Sequence, residues 1–370
     1  MTRHISSKSF SSKLLNWHVA NDRELPWKKD KDPYKIWVSE IILQQTRVKQ
    51  GTPYYLRFIE AFPNITELAN ATEDKLLHIW QGLGYYARAR NMHFTAKYIT
   101  EELDGVFPNN YASLIKLKGI GPYTAAAISS FAFDEVKAVL DGNVIRVLSR
   151  IFGIESPFDT NQGKTEFQTL ADQLIDPKQP ADYNQAIMDF GALQCIPGLP
   201  DCSNCPFNQH CKAHQLEKVG ILPVRQKKIS KKHRRFHFFI ISTSDGKIII
   251  EKRVEKDIWK SLYQFPMIEQ PEDSPFELYL SFPKIMEKYN YIANYNLEVM
   301  GEQKQVLTHQ IVNAEFYLVQ LSTEQIALPP DNYLVDYKNL CNFAYPKLID
   351  WFIMEKIIPL FALNHIKNDQ

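Results

Sequence analysis

The chain has 370 residues, a formal net charge of +1 and a pI near 7.6, and 45% of its residues are hydrophobic. This composition excludes a disordered tail, a coiled coil and a collagen, and the length predicts two domains that each bury a core. No apolar run approaches the roughly 18 to 20 residues of a membrane span, and the polar start lacks the hydrophobic stretch of a signal peptide, so we expect a cytoplasmic protein without membrane association.

The first part of the chain, residues 1–220, has a helical pattern. Apolar residues recur at spacings of three and four, and prolines such as Pro63 and Pro108 divide the pattern into segments of helix length. We predict an all-α domain there, a basic linker over 221–235 and an α+β domain over 236–370.

An early helix is expected to begin at Asp32 and Pro33, because aspartate is a capping side chain and proline suits the first helical position. Glu40 lies on this helix, three and four residues from apolar side chains. Inside such a stripe a carboxyl group is buried and keeps its proton, whereas at the edge of the stripe it is partly exposed and ordinary. The pattern leaves both interpretations open.

A glycine-containing turn separates two helical segments, expected at 110–117 and 122–131. Gly119 and Gly121 permit a tight turn whose amides approach a phosphate oxygen, and the second helix presents the positive end of its dipole there. We predict a helix-hairpin-helix motif over about 110–131 that holds the DNA backbone without reading bases. A Gly-x-Gly between helices also forms plain turns, so the motif is weak by itself.

Four of the five cysteines fall within seventeen residues and are Cys195, Cys202, Cys205 and Cys211. In a cytosolic protein such clustering indicates a metal site rather than disulfides, because the thiols stay reduced and thiolates are soft ligands. Four thiolates suit either a tetrahedral zinc ion or an iron–sulfur cube, and the spacing alone does not separate the two. Cys341 lies far from the others and is expected to be a packed core thiol.

The predicted linker is strongly basic. Residues 221–235 hold seven basic and no acidic side chains, whereas residues 236–370 carry a net charge of −6. The basic residues are Arg225, Lys227, Lys228, Lys231, Lys232, Arg234 and Arg235. This strip is either a solvated connector or a strap that contacts phosphates, and its charge does not decide between them.

The last part of the chain has strand patterns. Residues 235–242 and 247–252 are expected to form a hairpin around a Ser-Asp-Gly turn, and 305–307 and 314–319 to add further strands. A helix is expected from 345 to 358, with Pro359 ending it.

Several motifs match, in order, those of the MutY family of adenine DNA glycosylases, a branch of the helix-hairpin-helix glycosylases that also contains endonuclease III. They are 25–27 (LPW), 37–46 (WVSEIILQQT), 82–88 (GLGYYAR), the hairpin, 140–150 (LDGNVIRVLSR) and the cysteine loop. The chain resembles this family along nearly its full length. The resemblance implies an all-α glycosylase domain with one 4Fe-4S cluster in a loop over 195–211, followed by a MutT/Nudix-like domain.

The resemblance also implies catalytic roles. Glu40 would be the general acid that protonates adenine so that the base leaves neutral, which requires a raised pKa. Asp141, which by position alone would cap a helix, would stabilise the oxocarbenium-like sugar, and Tyr123 and Asn143 would share the pocket. Bifunctional members carry a lysine at the position of Tyr123, so without that amine we predict a monofunctional enzyme that leaves an abasic site.

Contacts with DNA are implied at further positions. The nucleotide must be turned out of the duplex at a cost of a few kcal/mol, which inserted side chains offset. The resemblance assigns this task to Gln45 and Tyr85, although Tyr85 as bare sequence is typical of ordinary helix packing. It associates Lys28 and Gln185 with holding the adenine. The family often has arginine and glutamate at these two positions, so here an amide replaces a carboxylate.

The second domain resembles the MutT-like domain of the family through its hairpin and residues 259–266 (WKSLYQFP). The Gly-x5-Glu-x7-Arg-Glu-x2-Glu-Glu box with which Nudix hydrolases hold magnesium does not occur after residue 236, so we predict a non-hydrolytic domain. The resemblance assigns it to checking for 8-oxoguanine opposite the adenine, through Leu307, Thr308 and His309. The family commonly has an aromatic residue and a serine at the first two of these positions.

The predicted function is therefore base excision repair by a monomer in the bacterial cytoplasm, at the nucleoid. The substrate would be double-stranded DNA in which adenine is mispaired with 8-oxoguanine or guanine, and the reaction would be hydrolysis of the N-glycosidic bond. Two alternatives stay open: an endonuclease III-like bifunctional glycosylase/lyase, and a non-catalytic DNA-lesion-binding module with a structural metal. The first would nick DNA without alkali, and the second would release no base.

Overall fold

The computed structural model describes residues 5–28, 30–226, 230–271, 278–291 and 295–368. The chain divides into two compact units, of which the first comprises Met1–Asn70 with Asn91–Lys228 and the second comprises Ala71–Arg90 with Ile229–Gln370. A short segment from the middle of the helical region thus belongs with the C-terminal unit. Among the described residues, no helix combines the length and apolar character needed to cross a bilayer.

The helical region is confirmed. In chain order its helices are α1 (Ser7–Val19), α2 (Pro33–Leu43), α3 (Val48–Ala61), α4 (Ile65–Asn70), α5 (Glu73–Trp80), α6 (Ala87–Glu102), α7 (Tyr111–Leu114), α8 (Pro122–Phe133), α9 (Gly142–Phe152), α10 (Asn161–Leu174), α11 (Pro180–Leu193) and α12 (Lys212–Gln215), with a 3₁₀ turn at Pro26–Lys28. Helix α5 and the first residues of α6 lie in the second unit.

Helix starts in the first unit follow the capping side chains. The Asp32 carboxylate accepts a hydrogen bond from the backbone of Tyr34 at the start of α2, and Pro33 occupies the first helical position, as predicted. Helix α9 packs against α10, α11 and α12, and α2 packs against α8. The buried aromatic residues Phe10, Tyr183, Phe190 and Phe207 fill the core between these helices.

The predicted hairpin lies between α7 and α8. Helix α7 is shorter than expected, because tight i-to-i+3 turns at Lys116 and Leu117 replace its last residues. Gly119 has a φ of +81°, which favours glycine, and a Cβ there would lie 2.7 Å from the Cβ of Asn91. The close approach of α6 to the turn therefore requires glycine at 119.

The second unit contains one seven-stranded sheet, and the predicted α+β class is confirmed. The strands are β1 (Lys232–Ser242), β2 (Lys247–Lys252), β3 (Tyr263–Gln264), β4 (Met267–Gln270), β5 (Tyr295–Val306), β6 (Gln310–Leu321) and β7 (Asn332–Asp336). The order is β3-β2-β1-β6-β5, with β4 paired to β1 and β7 paired to β2. The helices are α13 (Leu278–Glu287), α14 (Lys347–Phe352) and α15 (Ile358–Asn368), with a 3₁₀ segment at Tyr337–Asn342 and a π-helical turn at Ile353–Ile357.

One face of this sheet packs against α13. The buried side chains of Phe239 and Ile241 on β1 and of Tyr317 and Val319 on β6 form a core cluster with Phe282 of α13. The rings of Phe239 and Tyr317 stack with their centroids 5.3 Å apart. The cluster fixes β1 beside β6 in the middle of the sheet.

The predicted hairpin is confirmed, although its ladder is short: β1 and β2 are antiparallel neighbours that pair at Ser242 and Ile248 around the turn at 243–247. On its other side β1 pairs along its whole length with β6, which runs parallel to it. Local sequence patterns did not predict this second pairing. Contrary to expectation, Pro359 does not end a helix. The chain passes from the π-helical turn at Ile353–Ile357 directly into α15, with Ile358 in helical conformation, so the helix continues through Pro359.

Two further expectations are wrong. Strand β1 begins at Lys232, inside the stretch expected to be a linker, because its ladder with β6 starts there, opposite Gln310. Arg234, expected to face solvent, is buried in an ion-pair cluster. Cys341 is exposed rather than packed in the core, because the 3₁₀ segment at Tyr337–Asn342 turns its thiol outward. Residues 227–229 of the basic strip lie outside the described residues.

Candidate active site

Glu40 of α2 lies among apolar side chains and is 7% exposed. The pKa of its carboxyl group is raised to about 7, chiefly by burial; the hydrogen bond with Tyr123 lowers it and the nearby Asp141 carboxylate adds to the rise. Glu40 therefore keeps its proton to a much higher pH than an ordinary glutamate. Of the two interpretations that the sequence left open, the structure has the buried, protonatable acid.

Tyr123 connects the two acidic residues of the site. It lies in the first turn of α8, with its hydroxyl group within hydrogen-bonding reach of Glu40 and 3.3 Å from the sulfur of Met188. Burial, together with the negative charges of Glu40 and Asp141, raises the pKa of this phenol well above its usual value. The hydroxyl group keeps its proton and can donate it in a hydrogen bond.

Asp141 caps the N-terminus of α9, as its position predicted. Its Oδ1 accepts a hydrogen bond from the backbone of Val144 at 2.8 Å, and its Oδ2 accepts one from the Asn143 side chain at 2.8 Å. Burial raises the pKa of the carboxyl group, and these hydrogen bonds and the charge of Arg146 oppose the shift. The donors stabilise the carboxylate form beside a buried acid that holds a proton.

Arg146 fixes the orientation of Asn143, and sequence reasoning missed it. Its Nη2 donates to Asn143 Oδ1 at 2.9 Å and to the carbonyl of Gly191 at 2.6 Å, so the amide NH₂ of Asn143 must face Asp141. Its Nε donates to the carbonyl of Cys195 at 2.8 Å. The i,i+3 spacing between Asn143 and Arg146 was the available signal.

A cavity beside Glu40 contains both predicted base-recognition residues. It measures about 260 Å³, and Lys28 and Gln185 line it together with Glu40. Gln185 Nε2 donates to Asp189 Oδ1 at 3.0 Å, and Lys28 Nζ lies 3.4 Å from Asp189 Oδ2. Asp189 is fully buried and was missed, although it follows Gln185 by one helical turn.

In the predicted hairpin, the backbone amides at the start of α8 are not capped by a side chain. Gly121 is the N-cap of α8 and provides no side-chain hydrogen bond to the helix start. The first amides of α8 therefore have no capping side chain as a hydrogen-bond partner. This arrangement suits an anion such as a DNA phosphate.

Gln45 and Tyr85 share an unusual backbone conformation. Their φ angles are +60° and +49°, in the left-handed region that side chains other than glycine and asparagine rarely adopt. Gln45 is exposed, and Tyr85 is 47% exposed and precedes α6, where the guanidinium group of Arg88 lies over its ring. Strained, exposed backbone of this kind occurs often at binding sites.

The predicted recognition loop, residues 307–309, lies in the second unit together with Tyr85. The amide of Leu307 donates to the carbonyl of Gln310 at 2.8 Å, which closes a turn with Thr308 and His309 exposed at its tip. The hydroxyl groups of Thr308 and Tyr85 are hydrogen bonded. A cavity of about 470 Å³ lies beside the loop and is also lined by Tyr85 and Trp259.

The four clustered cysteines line a common cavity with Arg150 of α9. Arg150 Nη1 lies 3.5 Å from the sulfur of Cys195, and the sulfur of Cys211 lies 3.3 Å from the carbonyl oxygen of Arg150. Within the described part of the chain, no three cysteine sulfurs lie within 4.8 Å of one another. Tetrahedral zinc, with Zn–S bonds of about 2.3 Å, would require sulfurs about 3.8 Å apart.

Comparison with known proteins supports the arrangement described above. The model of the HhH-GPD superfamily of base excision DNA repair proteins matches residues 38–173, and that of the NUDIX domain matches 237–355. A thermostable thymine-DNA glycosylase structure shares 27% identity at a TM-score of 0.53, covering 57% of this chain and 97% of its own. The fold and the site thus define a helix-hairpin-helix protein of base excision repair.

Full-length relatives narrow this class. An adenine DNA glycosylase of Buchnera aphidicola subsp. Schizaphis graminum is 38% identical over 95% of this chain and 98% of its own length. Another, from Arabidopsis thaliana, is 33% identical over 96% of this chain and 64% of its own length. The chain belongs to the adenine DNA glycosylase family and is an enzyme of base excision repair.

Proposed function

We propose that this enzyme is monofunctional and removes adenine opposite 8-oxoguanine or guanine from double-stranded DNA, leaving an abasic site. The observation that carries the proposal is the Glu40–Tyr123–Asp141 arrangement. It combines a buried acid that holds a proton near neutral pH with a carboxylate across a shared phenol. The side chain at 123 has no amine that could attack the sugar.

In the proposed reaction, Glu40 transfers its proton to a ring nitrogen of adenine. The bond between the base and C1′ then breaks, neutral adenine leaves, and Asp141 stabilises the positive charge on the sugar. Water bonds to C1′ and returns a proton to Glu40, which restores the acid. Asn143 keeps the Asp141 carboxylate in place.

Recognition of the adenine is assigned to the cavity beside Glu40. Lys28 and Gln185 line it, and both are tied to the buried Asp189. Because Asp189 can only accept hydrogen bonds when ionised, Gln185 presents its NH₂ to it and keeps its carbonyl oxygen for another partner. An exocyclic amine such as that of adenine would suit this oxygen.

Binding of the duplex is assigned to the hairpin and two strained residues. The amides around Gly119 and Gly121 would hold a phosphate without reading sequence. Gln45 and Tyr85 would enter the duplex near the lesion and offset the cost of turning out the adenine. Thr308 and His309 would contact the opposite 8-oxoguanine with a hydroxyl group and an imidazole.

We further propose one 4Fe-4S cluster held by Cys195, Cys202, Cys205 and Cys211. The four thiols line one cavity, and four thiolates are the ligand set of such a cluster. Bound there, the cluster supplies four metal–thiolate bonds that cross-link residues 195–211. Purified protein is expected to be brown, with broad absorption near about 400 nm. Colourless protein with one zinc ion per chain would contradict this proposal.

We propose that the enzyme acts as a monomer in the bacterial cytoplasm, at the nucleoid, where its DNA substrate lies. Bacterial relatives of nearly full length support this setting. Analytical ultracentrifugation of the purified chain tests the monomer, and sedimentation as a dimer at micromolar concentration would rule it out.

The decisive experiment uses a labelled duplex with adenine opposite 8-oxoguanine. After incubation with the enzyme, strand breakage is compared with and without alkali, and free adenine is measured. A monofunctional enzyme releases adenine and gives breakage only after alkali. Strong breakage without alkali would indicate the bifunctional alternative, and binding without adenine release would indicate the non-catalytic one.

A further inference from the structure

Arg234 belongs to the basic strip of the sequence but does not face solvent. It lies on β1, its side chain is 7% exposed, and two carboxylates surround its guanidinium group. Nη1 and Nη2 donate to the two oxygens of Asp257 at 2.8 and 2.7 Å, and Nε donates to Glu269 Oε1 at 2.7 Å. Arg234 is therefore unavailable as a phosphate strap.

The same guanidinium group also reaches the end of the 307–309 loop. Its Nη1 donates to the side-chain oxygen of Gln310 at 3.3 Å. Gln310 is the first residue of β6 and closes the loop through its backbone carbonyl, which accepts from Leu307. The carbonyl of His309 accepts from the amide of Lys232 at 2.9 Å. The start of β1 thus holds the loop through one side-chain and one backbone contact.

In this ion cluster the guanidinium group of Arg234 is buried, whereas the side chains of Asp257 and Glu269 are 30% and 39% exposed. Taking the guanidinium group out of water is costly, and an apolar residue of similar volume often stabilises a fold equally well or better. Such clusters can instead select one geometry among several. Here the selected geometry concerns the loop, because Asp257 and Gln310 line the same cavity as Thr308 and His309.

We propose that Arg234 is a positioning residue that, through Gln310, holds the 307–309 loop in the orientation that distinguishes 8-oxoguanine from guanine opposite adenine. The proposal rests on the proposed function of the loop. Arg234 has its full set of donors directed at Asp257, Glu269 and Gln310, so its action on the lesion is indirect.

The first test separates the loop from the cluster without leaving a buried charge unpaired. Gln310→Leu removes the acceptor on the loop, while Arg234 keeps both carboxylates. Single-turnover excision rates are measured with adenine opposite 8-oxoguanine and opposite guanine. We expect the ratio of the two rates to fall by about tenfold, through loss of the 8-oxoguanine rate alone.

Two further substitutions of glutamine residues serve as controls for this result. Gln310→Glu keeps an oxygen acceptor for Arg234 and is expected to retain the preference for 8-oxoguanine. Gln320→Leu makes the same change on an exposed residue of β6 and is expected to leave both rates unchanged. An unchanged ratio in Gln310→Leu, or a ratio in Gln310→Glu as low as in Gln310→Leu, would overturn the proposal.

Arg234→Met distinguishes positioning from direct contact of Gln310 with the base. It is expected to lower the rate ratio as Gln310→Leu does, with rates taken below its melting temperature. A folded Arg234→Met enzyme with the wild-type ratio overturns the proposal. If Arg234→Met does not fold, the comparison of Gln310→Leu with Gln310→Glu tests the proposal instead.

Thr308→Ala and His309→Ala test the proposed function of the loop separately from the positioning role of Arg234. If neither changes the ratio, or if the wild type has no preference, the proposed role of the loop fails. If they lower the ratio while Gln310→Leu and Arg234→Met do not, only the positioning role of Arg234 fails.

Discussion

In the proposed mechanism, the proton on Glu40 determines the pH range in which the enzyme can excise adenine. Burial holds the pKa of this carboxyl group at about 7, against 4.5 for an ordinary glutamate. The sequence placed Glu40 three and four residues from apolar side chains, a pattern that allowed either burial or partial exposure, and the structure shows burial. Its partners were not foreseeable from local pattern, because Tyr123 and Asp141 come from different helices about eighty and a hundred residues away.

The pH dependence of the rate follows from this shift. Single-turnover excision is expected to fall as the pH rises through about 7, because the acid form of Glu40 is lost. Glu40→Gln is expected to be inactive at every pH. An excision rate that stays flat from pH 6 to pH 8.5 would contradict the role of Glu40 as general acid.

The raised pKa of Glu40 also makes the stability of the fold depend on pH, and the direction of that dependence can be stated. Since the pKa is higher in the folded than in the unfolded chain, the acid form stabilises the fold below about pH 4.5, and this contribution is lost as the pH rises through about 7. The difference in unfolding free energy between Glu40→Gln and wild type should therefore grow in favour of the variant between pH 5 and pH 7. Denaturant melts of both proteins measure it.

Asp141 combines two tasks that one substitution separates. Asn is also a good N-cap, so Asp141→Asn should preserve α9 while removing the negative charge opposite the sugar. We expect the excision rate to fall by roughly two to three orders of magnitude. Some loss of melting temperature should accompany it, because the new NH₂ group at 141 would face the NH₂ group of Asn143. Thr160→Asn, a cap exchange at α10, serves as the control and should leave the rate intact. A wild-type rate in Asp141→Asn would remove the residue from the mechanism.

Individual elements were predictable where their signals are local. Helix α2 begins at Asp32 and α9 at Asp141 because short polar side chains cap the backbone within three residues, and such signals are written in the sequence. The pairing of β1 with β6 was not predictable. It joins residues about eighty positions apart, and only the burial of both strands in one core decides it.

One element carries strain that can be relieved. Ser261 has a φ of +66°, a conformation that glycine adopts without the clash of a Cβ. Ser261→Gly is expected to raise the free energy of unfolding by about 1 kcal/mol, measured by denaturant titration. Ser242→Gly, on extended β1, should instead destabilise the protein by about 1 kcal/mol. If Ser261→Gly lowers the free energy of unfolding, the serine side chain stabilises the fold by more than its left-handed backbone conformation destabilises it.

At the scale of the whole molecule, the boundary between the two units is not a single point in the sequence. Ala71–Arg90 belongs with the C-terminal unit. Lys252 Nζ lies 2.6 Å from Asp74 Oδ1, the amide of Tyr345 donates to Gln81 Oε1 at 3.2 Å, and Arg90 donates to the carbonyl of Lys260 at 2.7 Å. Composition and charge indicated a linker near 221–235 but contain no signal for this exchanged segment.

A fragment that ends at residue 226 should therefore be less stable than an independent domain. It would leave Ala71–Arg90 without its contacts in the C-terminal part of the second unit, such as the hydrogen bond from the Tyr86 hydroxyl group to the carbonyl of Tyr345. We expect the fragment to melt below the intact chain and to show rapid amide exchange over 71–90, measured by mass spectrometry. A fragment with wild-type protection in that segment would show that the helical region stands alone.

The divided second unit also constrains how such enzymes can be recombined. Consider a hybrid gene with a single crossover in the linker, so that the helical region comes from one relative and the sheet from another. Its second unit would combine residues 71–90 of the first parent with the sheet of the second. A chimaera should fold stably only if Ala71–Arg90 and the C-terminal residues of the second unit come from the same parent. Substitutions in these two segments are then expected to covary among relatives.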